Sequence, residues 1–372
     1  CSGCGETPYI RWLTQLFGDR MLIANATGCS SIYGGNLPTT PYTKDSHGRG
    51  PAWNNSLFED AAEFGLGFRL AVDALARNAR ALLSALRGSL SEALVSELET
   101  PCPVTDERAL ERRREAVRLL REELSRLSDP RARSLALMAD ELVPRAVWVI
   151  GGDGWAYDIG YGGLDHVIAS GRDVKLLVLD TEVYSNTGGQ QSKATPLGAS
   201  AKFAAAGKET RKKDLGLLAM SYGHVYVASI ALQAKPAHAA DTLREAMNFR
   251  GPALIIANSP CIAHGYDLLH SPEQQRRAVD SWAWPLYRFD PRRVADGKAP
   301  LQLDSGPVKV PLRKYMEEEA RFRMVELRDP ARYEALIKLA EDAVADRRAL
   351  YGQLAGVTIP THETGAKGGD PG

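Results

Sequence analysis

Long apolar runs are missing from this 372-residue sequence. The longest, such as VKLLVL and ALIIA, have the length of strands, which excludes a helical membrane span. An excess of charge is missing too: 46 Lys and Arg balance 46 Asp and Glu, so no global field would hold a polyanion such as nucleic acid. Five cysteines are too few for a disulfide scaffold, and no basic segment followed by an apolar core stands at the N-terminus. A cytoplasmic, reducing setting and a small-molecule partner are therefore expected. His47, His166, His224 and His264 show no ligand spacing to one another and read as surface or core residues rather than catalysts.

What is present is an alternation. MLIANATG (21–28), AVWVIGGDG (146–154), VKLLVLDTE (174–182), HVYVASI (224–230) and PALIIANSP (252–260) are short aliphatic runs that end in Gly, Asp, Thr or Asn and lead into helical patterns. Continuous apolar strands between helices predict an α/β fold, a parallel sheet flanked by helices on both faces. Ligands of such sheets sit beyond the carboxyl ends of the strands.

From about 70 to 145 the alternation stops. Leu83, Leu86, Leu90, Leu94 and Leu98 recur at spacings of three and four, as do Val117, Leu120, Leu124 and Leu127 after the break TPCPVTD. This predicts a helical hairpin insertion, with a third helix capped by Asp129, opened by Pro130 and ended by Pro144. The run ERRREAVRLLREEL places Arg and Glu at i, i+4 intervals, as a solvated helix face does. Residues 1–290 are expected to form the α/β domain. Residues 291–372 are expected to be a C-terminal extension: a proline-containing loop, amphipathic helices broken near Asp329-Pro330, and a polar tail, THETGAKGGDPG, without chemistry.

Chemistry concentrates in GGDGWAYDIGYGGLDH and LDTEVYSNTGGQ. Gly152-Asp153-Gly154 ends a strand, so glycine backbone can approach a ligand while Asp153 projects an oxygen from the sheet edge. Thr181 ends the next strand, with Val183, Ser185 and Asn186 in the loop beyond it. A carboxylate, a hydroxyl and a carbonyl are the oxygen ligands that magnesium takes alongside phosphate. A lone GDG would read as a strand-to-helix turn.

The pair of motifs resembles the diphosphate-binding signature of thiamine diphosphate enzymes, and nearly letter for letter that of the pyruvate:ferredoxin (flavodoxin) oxidoreductases. The resemblance runs from Cys1 to about residue 355. It implies the thiamine diphosphate-binding fold, with Asp153, Thr181 and the Val183 carbonyl on magnesium. Gly152, Gly154, Trp155, Ser185 and Asn186 would then line the diphosphate. Glu182 and Tyr184 in the same loop count as cofactor contacts, and Asn186 as the candidate catalytic side chain. Thr181 stands where many thiamine enzymes have Asn; a hydroxyl serves equally as an oxygen ligand.

The cysteines gain meaning from the same fold. Cys1 and Cys4 form C-x-x-C, Cys29 follows the first strand and Cys261 the last. Four thiolates suit a structural zinc or a 4Fe-4S cluster, and unligated buried cysteines are a third reading. The resemblance implies the cluster, with Glu6 beside it and the thiamine, and leaves Cys102 a bystander. It also implies oxidative decarboxylation of pyruvate to acetyl-coenzyme A, electrons passing to ferredoxin or flavodoxin, and a homodimer. Because the sequence opens inside the C-x-x-C motif, it is expected to be part of a longer polypeptide whose missing N-terminal domains carry the glutamate that activates thiamine. Three alternatives stand beside this: another 2-oxoacid oxidoreductase, a non-oxidative thiamine decarboxylase, which would need no cysteines, and a zinc-binding scaffold without activity.

Overall fold

The computed structural model describes residues 1–360, so the expectation for the tail at 361–372 lies outside the described residues. Eight strands form one sheet: β1 (Met21–Ala26), β2 (Ala52–Ser56), β3 (Ala146–Gly152), β4 (Lys175–Asp180), β5 (Tyr226–Ile230), β6 (Ala253–Asn258), β7 (Tyr287–Phe289) and β8 (Leu301–Leu303). Their order is β2-β1-β3-β4-β6-β5-β7-β8. The first six are parallel, and β7 and β8 close one edge antiparallel.

Alternate residues of each central strand feed opposite faces, as a pleat requires. Met21, Ile23, Trp148, Ile150, Leu177 and Leu179 pack on one face with α1 (Thr7–Phe17). Ala24, Val147, Val149, Leu176 and Val178 pack on the other, under α3 (Ala61–Leu86). A short α2 (Cys29–Gly35) lies between them in the chain. Every residue of β4 and β6 is buried, so these strands run apolar without alternation. Burying each large aliphatic side chain contributes about 1.5–3 kcal/mol.

The five strands read from the sequence are present; β2, β7 and β8 are additions. β2, AWNNS, is an edge strand with three of its five residues exposed and none buried, so it carries no apolar signature. β7 and β8 have three residues each, too few to show a period.

The insertion is richer than a hairpin. α3 begins at Ala61, ahead of the insertion expected from about 70, and at Gly65 it passes so close to the sheet that a Cβ would lie 2.3 Å from Val149. It ends at Leu86 in a 3₁₀ turn, followed by α4 (Glu92–Glu99), α5 (Glu107–Leu124) and α6 (Pro130–Met138). Leu83, Leu86, Leu90, Leu94 and Leu98 thus fall on two helices and the turn between them, yet all enter one separate apolar cluster with Val117 and Leu120. Asp129 caps α6 with Pro130 at its start, and the helix gives way to a 3₁₀ turn after Met138, before Pro144. On α5, Arg112 and Arg118 are exposed as a solvated face requires, but Arg113 is buried and donates to the Leu142 and Glu97 carbonyls.

The remaining helices are α7 (Tyr161–Ala169), α8 (Leu215–Met220), α9 (Pro236–Asn248), α10 (Ser271–Asp280), α11 (Leu312–Met316), α12 (Ala320–Arg328) and α13 (Pro330–Leu354). α12 and α13 break at Asp329-Pro330, where Asp329 caps α13. Beyond residue 290, β8 joins the sheet, and Tyr315, Phe322, Tyr333 and Tyr351 join the core of one sheet face.

Candidate active site

Because β1, β3, β4 and β6 are parallel neighbours, their carboxyl ends share one edge. Thr27 to Cys29 follow β1, Asp153 follows β3, Thr181 follows β4, and Ser259 to Cys261 follow β6. Gly152 pairs with Leu179, so the two motifs that lie 28 residues apart in sequence meet side by side.

Three oxygens of those motifs converge. Thr181 Oγ1 is 2.9 Å from Asp153 Oδ1, 3.0 Å from the Val183 carbonyl and 3.3 Å from Ser185 Oγ. One hydroxyl proton cannot serve three acceptors, so hydrogen bonding leaves most of this polarity unused. Neighbouring oxygens on a magnesium ion, each about 2.0–2.1 Å from the metal, lie roughly 2.9 Å apart, which is the spacing seen. Asp153 is fully buried, and its bonded partners are hydroxyls: Thr181, and Ser192 at 2.5 Å. Burial, then the neighbouring Asp180 charge, raise its pKa. A divalent cation would supply the missing counter-charge, so the residues fit the ion.

Above these oxygens lies an open cleft. Gly152, Asp153, Gly154, Trp155, Val183, Tyr184, Ser185, Asn186, Cys29 and Glu6 all line it. Thr27, Gly28, Ser30, Phe58 and Thr187 line it as well, and sequence reasoning missed them. A glycine directly after a strand, as in ATGC, was the available signal for Gly28. A Cβ on Gly28 or Gly152 would meet one atom, a carbonyl oxygen 3.9 Å away, so no packing within the chain demands glycine at either position. Both leave backbone open to a ligand. Gly154 differs: its Cβ would collide with the Tyr184 ring. Trp155 sits in a single π turn, Gly154–Ile159, and its buried indole N–H has no acceptor among the described residues.

Glu182 sits elsewhere than expected. Its carboxylate turns from the cleft to two cations, Lys212 Nζ at 3.0 Å and Arg321 Nη2 at 2.7 Å. Burial alone would raise its pKa; Lys212 and Arg321 more than reverse that and hold it well below the usual carboxylate range. His264, buried, bonds the Thr181 carbonyl through Nε2 at 2.7 Å and so belongs to the frame of this turn. His47, His166 and His224 are exposed.

The cysteines come to the same edge. The Gly5 N–H donates to the Pro260 carbonyl at 2.9 Å, which ties the neighbour of Cys4 to the neighbour of Cys261. A Cβ at Gly5 would lie 2.3 Å from Pro260 N, so only glycine allows this approach. Cys29 Sγ is 3.4 Å from Ser185 Oγ and 4.0 Å from Asn186 Oδ1, in contact with the loop after β4. Burial pushes the Cys29 thiol up to about 12, with Glu6 and then Cys261 and Cys4 adding to the rise. Cys1 is exposed, one tight turn from Cys4. Among the described residues no three His, Cys, Asp or Glu side chains form a group assembled to hold a metal ion. Glu6 is buried, and burial, offset in part by the Tyr33 hydroxyl, brings its pKa to about 7. Cys102 lines a different cleft at the opposite, amino edge with Ala146 and Lys175.

Residues 131–257 match the family described as thiamine pyrophosphate enzyme, C-terminal TPP binding domain. That match and the edge geometry define the class, a thiamine diphosphate-binding unit on a mostly parallel sheet. A pyruvate-flavodoxin oxidoreductase of Rhodospirillum rubrum is 59% identical over 96% of this chain and 30% of its own. One of Trichormus variabilis is 55% identical over 95% and 30%, and a pyruvate:ferredoxin oxidoreductase of Moorella thermoacetica is 49% identical over 95% and 31%. The chain belongs to the pyruvate:ferredoxin (flavodoxin) oxidoreductase family, and it spans about 30% of the length of these relatives. No helix among the described residues is long and apolar enough to cross a membrane.

Proposed function

We propose that this chain is the part of a pyruvate:ferredoxin oxidoreductase that binds thiamine diphosphate, magnesium and the nearest 4Fe-4S cluster. The whole polypeptide would oxidise pyruvate and coenzyme A to acetyl-coenzyme A and carbon dioxide, with electrons leaving to ferredoxin or flavodoxin. The observation that carries the reading is the convergence of Asp153, Thr181 and Val183 oxygens under a cleft floored by open glycines.

When bound, thiamine diphosphate supplies the electron sink for decarboxylation, and the cluster takes up electrons one at a time. Asp153, the Thr181 hydroxyl and the Val183 carbonyl hold the magnesium. Gly28, Gly152 and Gly154 let backbone approach the diphosphate, and Ser185 and Asn186 close its side of the cleft. Cys1, Cys4, Cys29 and Cys261 hold the cluster. Its support is the Gly5–Pro260 tie and the contact of Cys29 with Ser185, which would set cluster and diphosphate on one short loop. Buried Glu6 stands between the two. Residues 1–290 form the binding unit, and the C-terminal segment buttresses it. The five unpaired thiols suit a cytoplasmic setting, and the working form is a homodimer with the remaining domains of the same polypeptide.

The test is anaerobic purification of the complete polypeptide, with iron, acid-labile sulfide and zinc analysis and thiamine diphosphate titration with and without Mg²⁺. Iron and sulfide with Mg²⁺-dependent binding are expected, along with faster turnover of pyruvate than of 2-oxoglutarate. Zinc without thiamine diphosphate binding would overturn the reading. The isolated 372 residues should give no pyruvate-dependent dye reduction.

A further inference from the structure

The turn between β4 and the diphosphate loop is held in a conformation that its sequence does not favour. Glu182 has φ of 60°, in the left-handed region that side chains other than Gly, Asn and Asp rarely adopt. It stands between Thr181 and Val183, the two oxygen donors on this loop.

Every polar group around the strained residue is fixed. The Thr181 carbonyl accepts from His264 at 2.7 Å, the Glu182 carbonyl from the Thr195 hydroxyl at 2.7 Å, and the Glu182 N–H donates to Asp180 Oδ1 at 3.0 Å. The side chain is fixed as firmly. Lys212 bridges Glu182 Oε1 and Asp180 Oδ2, and Arg321 takes Glu182 Oε2. Arg321 is itself held by Glu319 at 2.6 Å and the Tyr315 hydroxyl at 3.2 Å, and Glu319 by Gln274 at 2.9 Å. Glu182, Glu319 and Arg321 are all buried. Strain of this kind persists only where the surroundings over-determine it, and it collects at sites where geometry matters.

We propose that Glu182 is a positioning residue. Its carboxylate, clamped by Lys212 and Arg321, holds the left-handed turn that sets the Thr181 hydroxyl and Val183 carbonyl on the divalent cation. Residues 315–321, from the end of α11 to the first turn of α12, therefore control metal affinity at a site they do not touch. A relaxed turn would rotate the peptide planes on either side of Glu182 and part the two oxygens, which now stand 3.0 Å apart. The inference rests on the magnesium and diphosphate reading above.

The test uses the complete polypeptide, titrating Mg²⁺ at fixed thiamine diphosphate and then thiamine diphosphate at saturating Mg²⁺. In Glu182→Gln the half-saturating Mg²⁺ should rise at least tenfold. At saturating Mg²⁺, thiamine diphosphate affinity should return to within threefold of the parent. Glu182→Asn also loses both cations but tolerates the left-handed turn, so its rise should be smaller than that of Glu182→Gln. Arg321→Lys keeps the charge and loses the fork, and should give an intermediate two- to fivefold rise. This last variant carries the test if either Glu182 variant fails to fold. Arg313→Gln, at the surface pair with Glu334, should change nothing.

A lowered melting temperature with half-saturating Mg²⁺ within twofold of the parent would overturn the proposal, since the clamp would then serve stability alone. A Glu182→Asn rise as large as that of Glu182→Gln, or an Arg321→Lys with no rise, would do the same. If the parent protein binds thiamine diphosphate without needing Mg²⁺, the functional reading falls and takes this inference with it. If the parent needs Mg²⁺ and the variants match it, only the inference falls.

Discussion

Asp153 and Glu182 are two carboxylates buried at the same edge of the same sheet, and they are treated in opposite ways. Glu182 has a cation on each oxygen; Asp153 has a hydroxyl on each. Burying a carboxylate without a counter-charge is costly, and a fold retains it where something outside the chain completes the pair. The difference fits the two proposed roles: Glu182 is neutralised within the chain and would hold shape, whereas Asp153 is left for the cation proposed to bind there. Sequence proximity to a motif would have put both on the cofactor.

The comparison can be broken most directly at Asp153. Asp153→Asn should weaken Mg²⁺-dependent thiamine diphosphate binding more than about 100-fold, since a proposed metal ligand is lost, without lowering the melting temperature of the metal-free protein. A large drop in that temperature would mean that Asp153, like Glu182, is part of the frame. Arg321→Met should instead lower stability as well as weaken Mg²⁺ binding. It leaves Glu182 and Glu319 buried beside an apolar chain and should cost about 3–5 kcal/mol in denaturant unfolding; a loss under 1 kcal/mol would show that water readily reaches the clamp.

Thr181→Val removes one oxygen of the convergent set while keeping the side-chain shape. Roughly tenfold weaker Mg²⁺ binding is expected, and unchanged binding would remove Thr181 from the ligand set. The smallest effect belongs to a pair like Arg313–Glu334, exposed on both sides. Arg313→Gln should shift unfolding by less than about 0.5 kcal/mol, which sets the scale against which the buried clamp is read.

Much of this was legible in the sequence. Strands such as VKLLVL declare themselves because both faces of the sheet are covered, and the oxygen donors sit immediately after them. β2 stayed hidden because an edge strand with Asn54 and Asn55 needs no apolar pattern, and α3 began early because Gly65 looks like a break where it is a close contact. The cation partners of Glu182 lie 30 and 139 residues away, beyond the reach of local spacing. The same holds for Ser192, which reaches Asp153 across 39 residues, and for His264 on the Thr181 carbonyl. Linear pattern locates donors on an edge; which of them remain unneutralised is decided by the packing of distant segments.

The long helix α3 also has a mechanical meaning. At 26 residues it is about 39 Å of continuous rod. Its first turns, with Ala61 and Ala62, are embedded in the sheet's core, and its last, with Ala79, Leu83 and Leu86, in the separate cluster of the insertion. The two cores share this beam. A load applied to the helical module would therefore reach the sheet as a tilt of one rigid element, and the module could be trimmed or enlarged at the far end of the beam without disturbing the strands beneath its near end.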